Sequence, residues 1–504
     1  MINQQAISIL WTFLFSVLSL QLFLLWKRSG TKKKLPPGPI GLPIIGNLHQ
    51  LGSMPHRSLA HLAEGYGPLM HLRIGQVPTL VVSSSKMAEQ VMKAHDLAFC
   101  SRPTLLSPKR LTYNCSDIIF APYGSYWRNV RKICVQELLS TKRVESFCLV
   151  REEEVGQMIH SISSSSKHGA IVNLSETFLS LSNNVICRVA FGKRYWEDGS
   201  QLNEMIEEAD RLFDCFFVGD LFPYLEWVKY VSGLKERLDE CFRIRDAFLD
   251  DVIADHLIPS RVEMEDEQKD LVDVLLQLQK GGNLDFTLTR DNIKAVVMDM
   301  FGAGIDTTSA TLEWGMSELI RSPRVMQKVQ DEVRGIIKSS RNNKIEESDL
   351  NQFHYLKAVV KETMRLHPPA PLLVPRESIE DCDIENYHIP AKTRVLINAW
   401  AIGRHLESWE DPDEFKPERF MDSSIDFRGQ DFELIPFGAG RRGCPGLSFG
   451  VAVIELTLAN ILLHFDWGLP NGMSPNDLDM TEAMGITVHR KSALLLKPSP
   501  LSPL

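Results

Sequence analysis

Apolar positions recur at helical spacing over most of the chain. Between Met205 and Phe213, the residues Met205, Ile206, Ala209, Leu212 and Phe213 fall on one face, and Val325–Ile337 and Leu447–Leu463 read as further helices. Strand-like runs are short: Leu69–Ile74 with Thr79–Ser83, Tyr387–Ile389, and Val395–Asn398. The pattern predicts a mainly α fold with small peripheral β-sheets. No unit repeats along the chain, which excludes a solenoid. The loose stretches Ser163–Ser166, Arg261–Asp270 and Ser339–Lys344 are too short to separate domains.

The longest predicted helix, Asp291 to Ser322, ends before Pro323. At 1.5 Å per residue it would span roughly 48 Å. Its centre, Phe301-Gly302-Ala303-Gly304-Ile305-Asp306-Thr307-Thr308-Ser309, suits a helix poorly, because each glycine costs about 1 kcal/mol relative to alanine and threonine adds a smaller penalty. Either something flat approaches the backbone there, or the glycines admit a close contact with another helix.

The first 26 residues carry no charged side chain, and Ala6–Trp26 is almost continuously apolar. About 20 such residues cross a bilayer core as a helix. Lys27, Arg28, Lys32, Lys33 and Lys34 follow, so the positive-inside bias predicts an uncleaved single-pass anchor with the rest of the chain in the cytosol. A cleaved signal peptide fits less well, since its charges precede a shorter apolar run. Leu35-Pro36-Pro37-Gly38-Pro39 then makes a stiff, non-helical connection. The expected organisation is an anchor over 1–26, a basic and proline-rich hinge over 27–54, and one cytosolic domain over 55–504.

Composition narrows the function. The chain has 504 residues and a formal net charge of −9, which argues against a nucleic-acid partner, whose affinity needs clustered Lys and Arg. Its nine cysteines are irregularly spaced, with no C-x-x-C, so neither a disulfide framework nor a structural zinc site is expected.

One cysteine stands apart. In Phe437-Gly438-Ala439-Gly440-Arg441-Arg442-Gly443-Cys444-Pro445-Gly446, four glycines surround a single thiol just ahead of a predicted helix. Loop amides, the helix N-terminus and Arg442 are expected to lower the thiol pKa and hold a thiolate. A lone thiolate without a companion Cys or His suits a metal carried by a macrocycle better than a zinc cage.

The segment resembles F-x-x-G-x-R-x-C-x-G, the haem-ligand loop of the cytochrome P-450 superfamily of haem-thiolate monooxygenases. Four further segments stand in that family's order. Glu362-Thr363-Met364-Arg365 resembles E-x-x-R, and Pro417-Glu418-Arg419-Phe420 resembles P-E-R-F, whose arginine joins that pair in a structural triad. Ala303-Gly304-Ile305-Asp306-Thr307-Thr308 resembles A-G-x-[DE]-T-T of the central helix, and Trp127-Arg128-Asn129-Val130-Arg131 resembles W-x-x-x-R. The forms look most like the plant A-type microsomal group.

The resemblance implies a single large haem-thiolate monooxygenase fold behind the transmembrane helix, held in the endoplasmic reticulum membrane. Its cofactor would be haem b, with Cys444 as the metal ligand. Trp127, Arg131, Ala303, Gly304, Arg376, Phe437, Arg442 and Gly446 would contact the haem, and Asp306 with Thr307 would form the proton relay that oxygen-bond cleavage requires. No flavin or dinucleotide fingerprint is present, so electrons would come from NADPH–cytochrome reductase, meeting basic residues such as Arg128 and Lys132, with cytochrome b5 a further candidate donor. Substrate would be a lipophilic plant metabolite, a terpenoid first, an alkaloid or phenylpropanoid-derived compound next. Its pocket would use Ser107–Phe120, Phe213, Phe216, Phe217, Leu221, Asp299, Met300, Ala370–Val374 and Ala483–Ile486. Two other readings stand beside this one. A same-fold isomerase or dehydratase acting on a peroxide would usually lack Thr307, and a non-catalytic haem binder would not need the Asp306–Thr307 pair.

Overall fold

A computed structural model describes residues 34–167, 169–195, 208–213, 217–262, 269–281, 286–338, 344–483 and 485–501. The expected anchor over 1–26, the first turn of Met205–Phe213, and Phe216 and Met484 at the expected pocket lie outside the described residues. Helices dominate, as the periodicity predicts. The central helix runs from Arg290 to Arg321 without interruption through its glycines. Thr289 and Asn292 close its N-terminus with a reciprocal capping box, and Ser322-Pro323 ends it.

This helix is buried on nearly every face, which a helix can be only at the centre of a large body. Leu174–Phe191 packs along it, while Cys148–Ser166, His354–Leu366 and Leu447–His464 complete the main core. Among the described residues, Leu447–His464 is the helix long and apolar enough to cross a membrane, yet most of it is buried in this core.

The sheets are peripheral. The largest has the strand order Leu69–Ile74, Val77–Val82, Arg394–Ile397, Arg376–Glu377. Its three pairings are antiparallel, parallel and antiparallel. The proline-rich segment lies along it: His71 donates its backbone N–H to Pro37 O at 2.9 Å, and Asn47 to Arg73 O at 2.6 Å. Cys382–Ile384 pairs with Tyr387–Ile389. A three-stranded sheet of Val172–Asn173, Leu495–Pro500 and Phe465–Gly468 joins segments far apart in sequence, and the local pattern did not predict it.

Candidate active site: a thiol and four guanidiniums around an internal cavity

The cysteine loop is shaped by its glycines at one position above all. Gly440 has φ +66°, and a Cβ there would lie 2.1 Å from Met92 O, so no other residue fits. Gly443 N–H bonds Gly440 O at 3.0 Å, and Cys444 N–H returns to Phe437 O at 2.9 Å. The turn leaves Cys444 at the foot of Leu447–His464.

Cys444 is enclosed by the protein, yet its side chain is accessible to a water-sized sphere. Both statements hold because the thiol borders an internal cavity of about 260 Å³ between the cysteine loop and the central helix. The same signature marks the opposite wall: Ala303 is exposed midway along a helix whose Phe301 and Ile305 are buried. Thr307 also lines the cavity, its hydroxyl donating to Ala303 O at 2.7 Å.

Burial pushes the Cys444 thiol up, opposed by the N–H groups of Gly446 and Leu447 and by Arg131. The expectation of a lowered thiol pKa is therefore reversed in the protein alone: desolvation outweighs the amides, and Arg131, not Arg442, is the cation that acts on the sulfur. A coordinated metal ion deprotonates a thiol outright.

Four arginines line the cavity: Arg102, Arg131, Arg376 and Arg442. Arg442 donates to the carbonyls of Cys100, Ile118 and Ala121 at 2.7, 3.2 and 2.6 Å. Its guanidinium also covers the Trp127 ring at 4.1 Å. Arg131 reaches Gly443 O at 2.5 Å. Arg102 bonds the carbonyls of Ile119, Val374 and Pro375, and Arg376 bonds Ala439 O and Asp96. Among the described residues the Arg376–Asp96 contact is the one ion pair these four make. Burial lowers the pKa of all four, and mutual repulsion adds to it in Arg442, pushed down to about 9. Since guanidinium does not give up its proton in proteins, this marks an excess of buried positive charge that needs an anion. A lone thiol facing a gap rimmed by four guanidiniums, of which only Arg376 has a carboxylate partner among the described residues, fits an iron macrocycle bearing carboxylates.

Trp127 is buried against the cavity, but its indole N–H donates to Ile118 O at 3.0 Å, so its ring is the part turned to the site. Phe437 lines the wall edge-on to Phe427, and Gly446 borders the thiol. Gly304 lines the cavity too, although a Cβ on it would meet Ile186 Cδ1 at 2.6 Å. Of the two explanations open for the glycines, helix contact accounts for Gly304, and Gly302 meets nothing.

Asp306 is elsewhere. Its carboxylate bonds His489 Nε2 at 2.7 Å and is not among the residues lining the cavity. Thr307 and Thr308 both line the cavity and Asp306 does not, so the edge of the cavity-facing part of the central helix falls between Asp306 and Thr307. From the expected substrate wall, Ile118, Ile119, Asp299, Met300, Ala370, Leu373 and Val374 line the cavity, and Phe213 stacks on Phe120 with centroids 5.8 Å apart. Sequence reasoning missed Arg102, Thr308, Thr311 and His489. Thr308 stood inside the quoted motif and Thr311 lies four residues beyond Thr307, so both were open to a helical-spacing argument, whereas Arg102 and His489 sit in loops without a local signal.

A family profile described as cytochrome P450 matches residues 36–496. Cytochrome P450 71A1 of Persea americana is 56% identical over 456 residues, 90% of each chain. Strychnine-11-hydroxylase of Strychnos nux-vomica is 53% identical over 487 residues, covering 95% of this chain and 94% of that one. Among solved structures, a zebra fish cytochrome P450 with abiraterone superposes with TM-score 0.74 at 29% identity, over 88% of this chain and 99% of the other.

Proposed function

The chain belongs to the cytochrome P450 family and is a monooxygenase of that family's plant branch, and on that premise we propose how its residues divide the work. The family uses haem iron, takes electrons from a reductase and acts on lipophilic substrates. Here the cofactor would be haem b, and Cys444 Sγ would hold its iron. When bound, it supplies dioxygen activation that the protein's own side chains lack. Arg102, Arg131, Arg376 and Arg442 hold its carboxylates, while Trp127, Ala303, Gly304, Phe437 and Gly446 shape its bed. The single observation that supports this best is the enclosed Cys444 thiol opening onto a cavity lined by four arginines, of which only Arg376 has a carboxylate partner among the described residues.

Thr307 presents its hydroxyl to the cavity. At rest its proton is donated to Ala303 O; as a relay, the hydroxyl turns that proton from the carbonyl toward the cavity while a lone pair accepts the next one. Asp306 is the acid that supplies it. The surrounding apolar wall, with Ile118, Ile119, Met300 and Leu373, excludes bulk water and receives the substrate. A terpenoid suits such a wall first, and an alkaloid is the second class, favoured by the hydroxylase relative. We assign the anchored chain to the endoplasmic reticulum with its catalytic body in the cytosol, NADPH–cytochrome reductase as donor and cytochrome b5 as an auxiliary one. The charge arrangement Met1–Lys34 supports this topology.

The test is expression in microsomes with a reductase. Cys444→Ala is expected to lose the carbon monoxide difference band and the haem with it. Thr307→Ala is expected to keep the band, while product per NADPH falls about tenfold or more and peroxide appears instead. Full coupling in Thr307→Ala would remove the relay role.

A further inference from the structure

His489 has no place in the reading so far, yet it is the partner of Asp306. Its Nε2 lies 2.7 Å from Asp306 Oδ1, and its Nδ1 lies 3.8 Å from Glu313 Oε2, two turns further along the central helix. The segment carrying it is pinned on both sides: Trp314 Nε1 donates to Val488 O at 2.9 Å, and Val488 N–H to Pro369 O at 2.8 Å. Arg490 N–H reaches Glu313 Oε2 at 3.4 Å. The charged groups facing the imidazole are thus Asp306 and Glu313 from the helix, while Arg490 meets Glu313 through its backbone N–H and turns its guanidinium to Asp479 O. Side chains of His489 and Asp306 keep 31% and 30% of their surface accessible, which leaves room for a water molecule against the pair.

Resting on the assignment of Thr307 as relay hydroxyl, we propose that His489 is a positioning residue for proton delivery, joining Asp306 to water outside the cavity lining. The ion pair holds the carboxylate outward. A proton moves from His489 Nε2 to Asp306 Oδ1, leaving a neutral imidazole and a neutral acid. With the charge gone, the acid is free to turn toward Thr307, and water returns a proton to the imidazole. The resting state is the ion pair. Burial alone would lower the imidazole, but Asp306 and Glu313 outweigh it and raise it to about 10. Burial alone would raise Asp306, but His489 and Thr487 hold it below the usual carboxylate range.

The experiment compares His489→Gln, His489→Phe and His489→Lys with Thr307→Ala in microsomes with reductase, reading product per NADPH, peroxide and the carbon monoxide band. Gln and Phe are expected to keep the band and lose coupling by about tenfold, and Lys, cationic with a transferable proton, to recover much of it. Wild-type coupling in His489→Gln beside an uncoupled Thr307→Ala overturns the role of His489 alone; a coupled Thr307→Ala overturns the relay beneath it. Should the Phe variant fail to hold haem, Gln and Lys decide. A second readout is independent of turnover. In the full-length carbon monoxide-bound protein, ¹⁵N-histidine spectra should show His489 as imidazolium up to about pH 10, dropping by about 1–3 pH units in Asp306→Asn. An imidazole titrating near its ordinary value in the wild type also overturns the proposal.

Discussion

Asp117 and Asp299 illustrate how much one buried proton can weigh. Asp299 Oδ2 accepts the N–H groups of Ile118 and Ile119 at 2.6 and 3.3 Å, tying the cavity loop to the central helix. Asp117 accepts from Thr112 and from Phe120 N–H. Burial raises both carboxyls, and their mutual repulsion adds to it for Asp299, which stands well above its ordinary value. A raised carboxyl binds more protons folded than unfolded. Its contribution is therefore complete below the unfolded value near about pH 4 and is lost as pH rises through the folded one. Asp299→Asn keeps an acceptor for the loop amides and replaces the shared proton with an amide N–H. It is expected to leave stability at acid pH unchanged and to flatten the decline toward alkaline pH, read as melting temperature against pH. A decline as steep as the wild type's would show that the pair does not control it.

The central helix shows why equal residues in one element have unequal meaning. Gly302 and Gly304 carry the same propensity penalty, but a Cβ at 302 meets open space and one at 304 meets Ile186. Gly302→Ala is expected to stabilise the protein by about 0.5–1 kcal/mol. Gly304→Ala gains the same propensity term but displaces Ile186, which also lines the cavity. Its melting temperature should rise less, and lipophilic ligands should bind more weakly by Soret titration. Equal stabilisation by both substitutions would contradict the packing account. The edge of the cavity-facing strip of this helix falls between Asp306, which pairs with His489, and Thr307, which lines the cavity.

Across the molecule, a buried ion-pair staple ties down the segment that precedes the cysteine loop. Glu362 and Arg365, both fully buried, pair at 2.6 Å, and Arg419 joins Glu362 at 3.0 Å. Arg365 also donates to Gly403, Pro412 and Glu414 carbonyls, binding the 403–419 segment to His354–Leu366. Removing one member leaves an uncompensated buried charge, at a cost of about 3–5 kcal/mol. Glu362→Ala is expected to lower the yield of haem-loaded protein severely, and Arg419→Lys much less. Measured by denaturant unfolding and the carbon monoxide band, a neutral Glu362→Ala would contradict this. The same triad was legible as a motif, because Glu and Arg three apart share a helix face, but three other Glu–Arg pairs at that spacing are exposed or half-buried contacts. Their burial separates them, not their spacing.

Local chemistry was enough to mark the helical architecture, the central helix and the cysteine loop with Arg442, because period, proline stops and glycine clusters act within a few residues of themselves, whereas Arg131 and Arg376 were legible only through the family resemblance. Long-range packing settled the rest: Arg102 beside the cavity, His489 against Asp306, the Val172–Asn173 strand paired with the C-terminal strand, and the direction of the Cys444 shift. Each of these depends on which distant groups share a desolvated volume, and burial and pairing are properties of the folded assembly that no stretch of neighbouring residues contains.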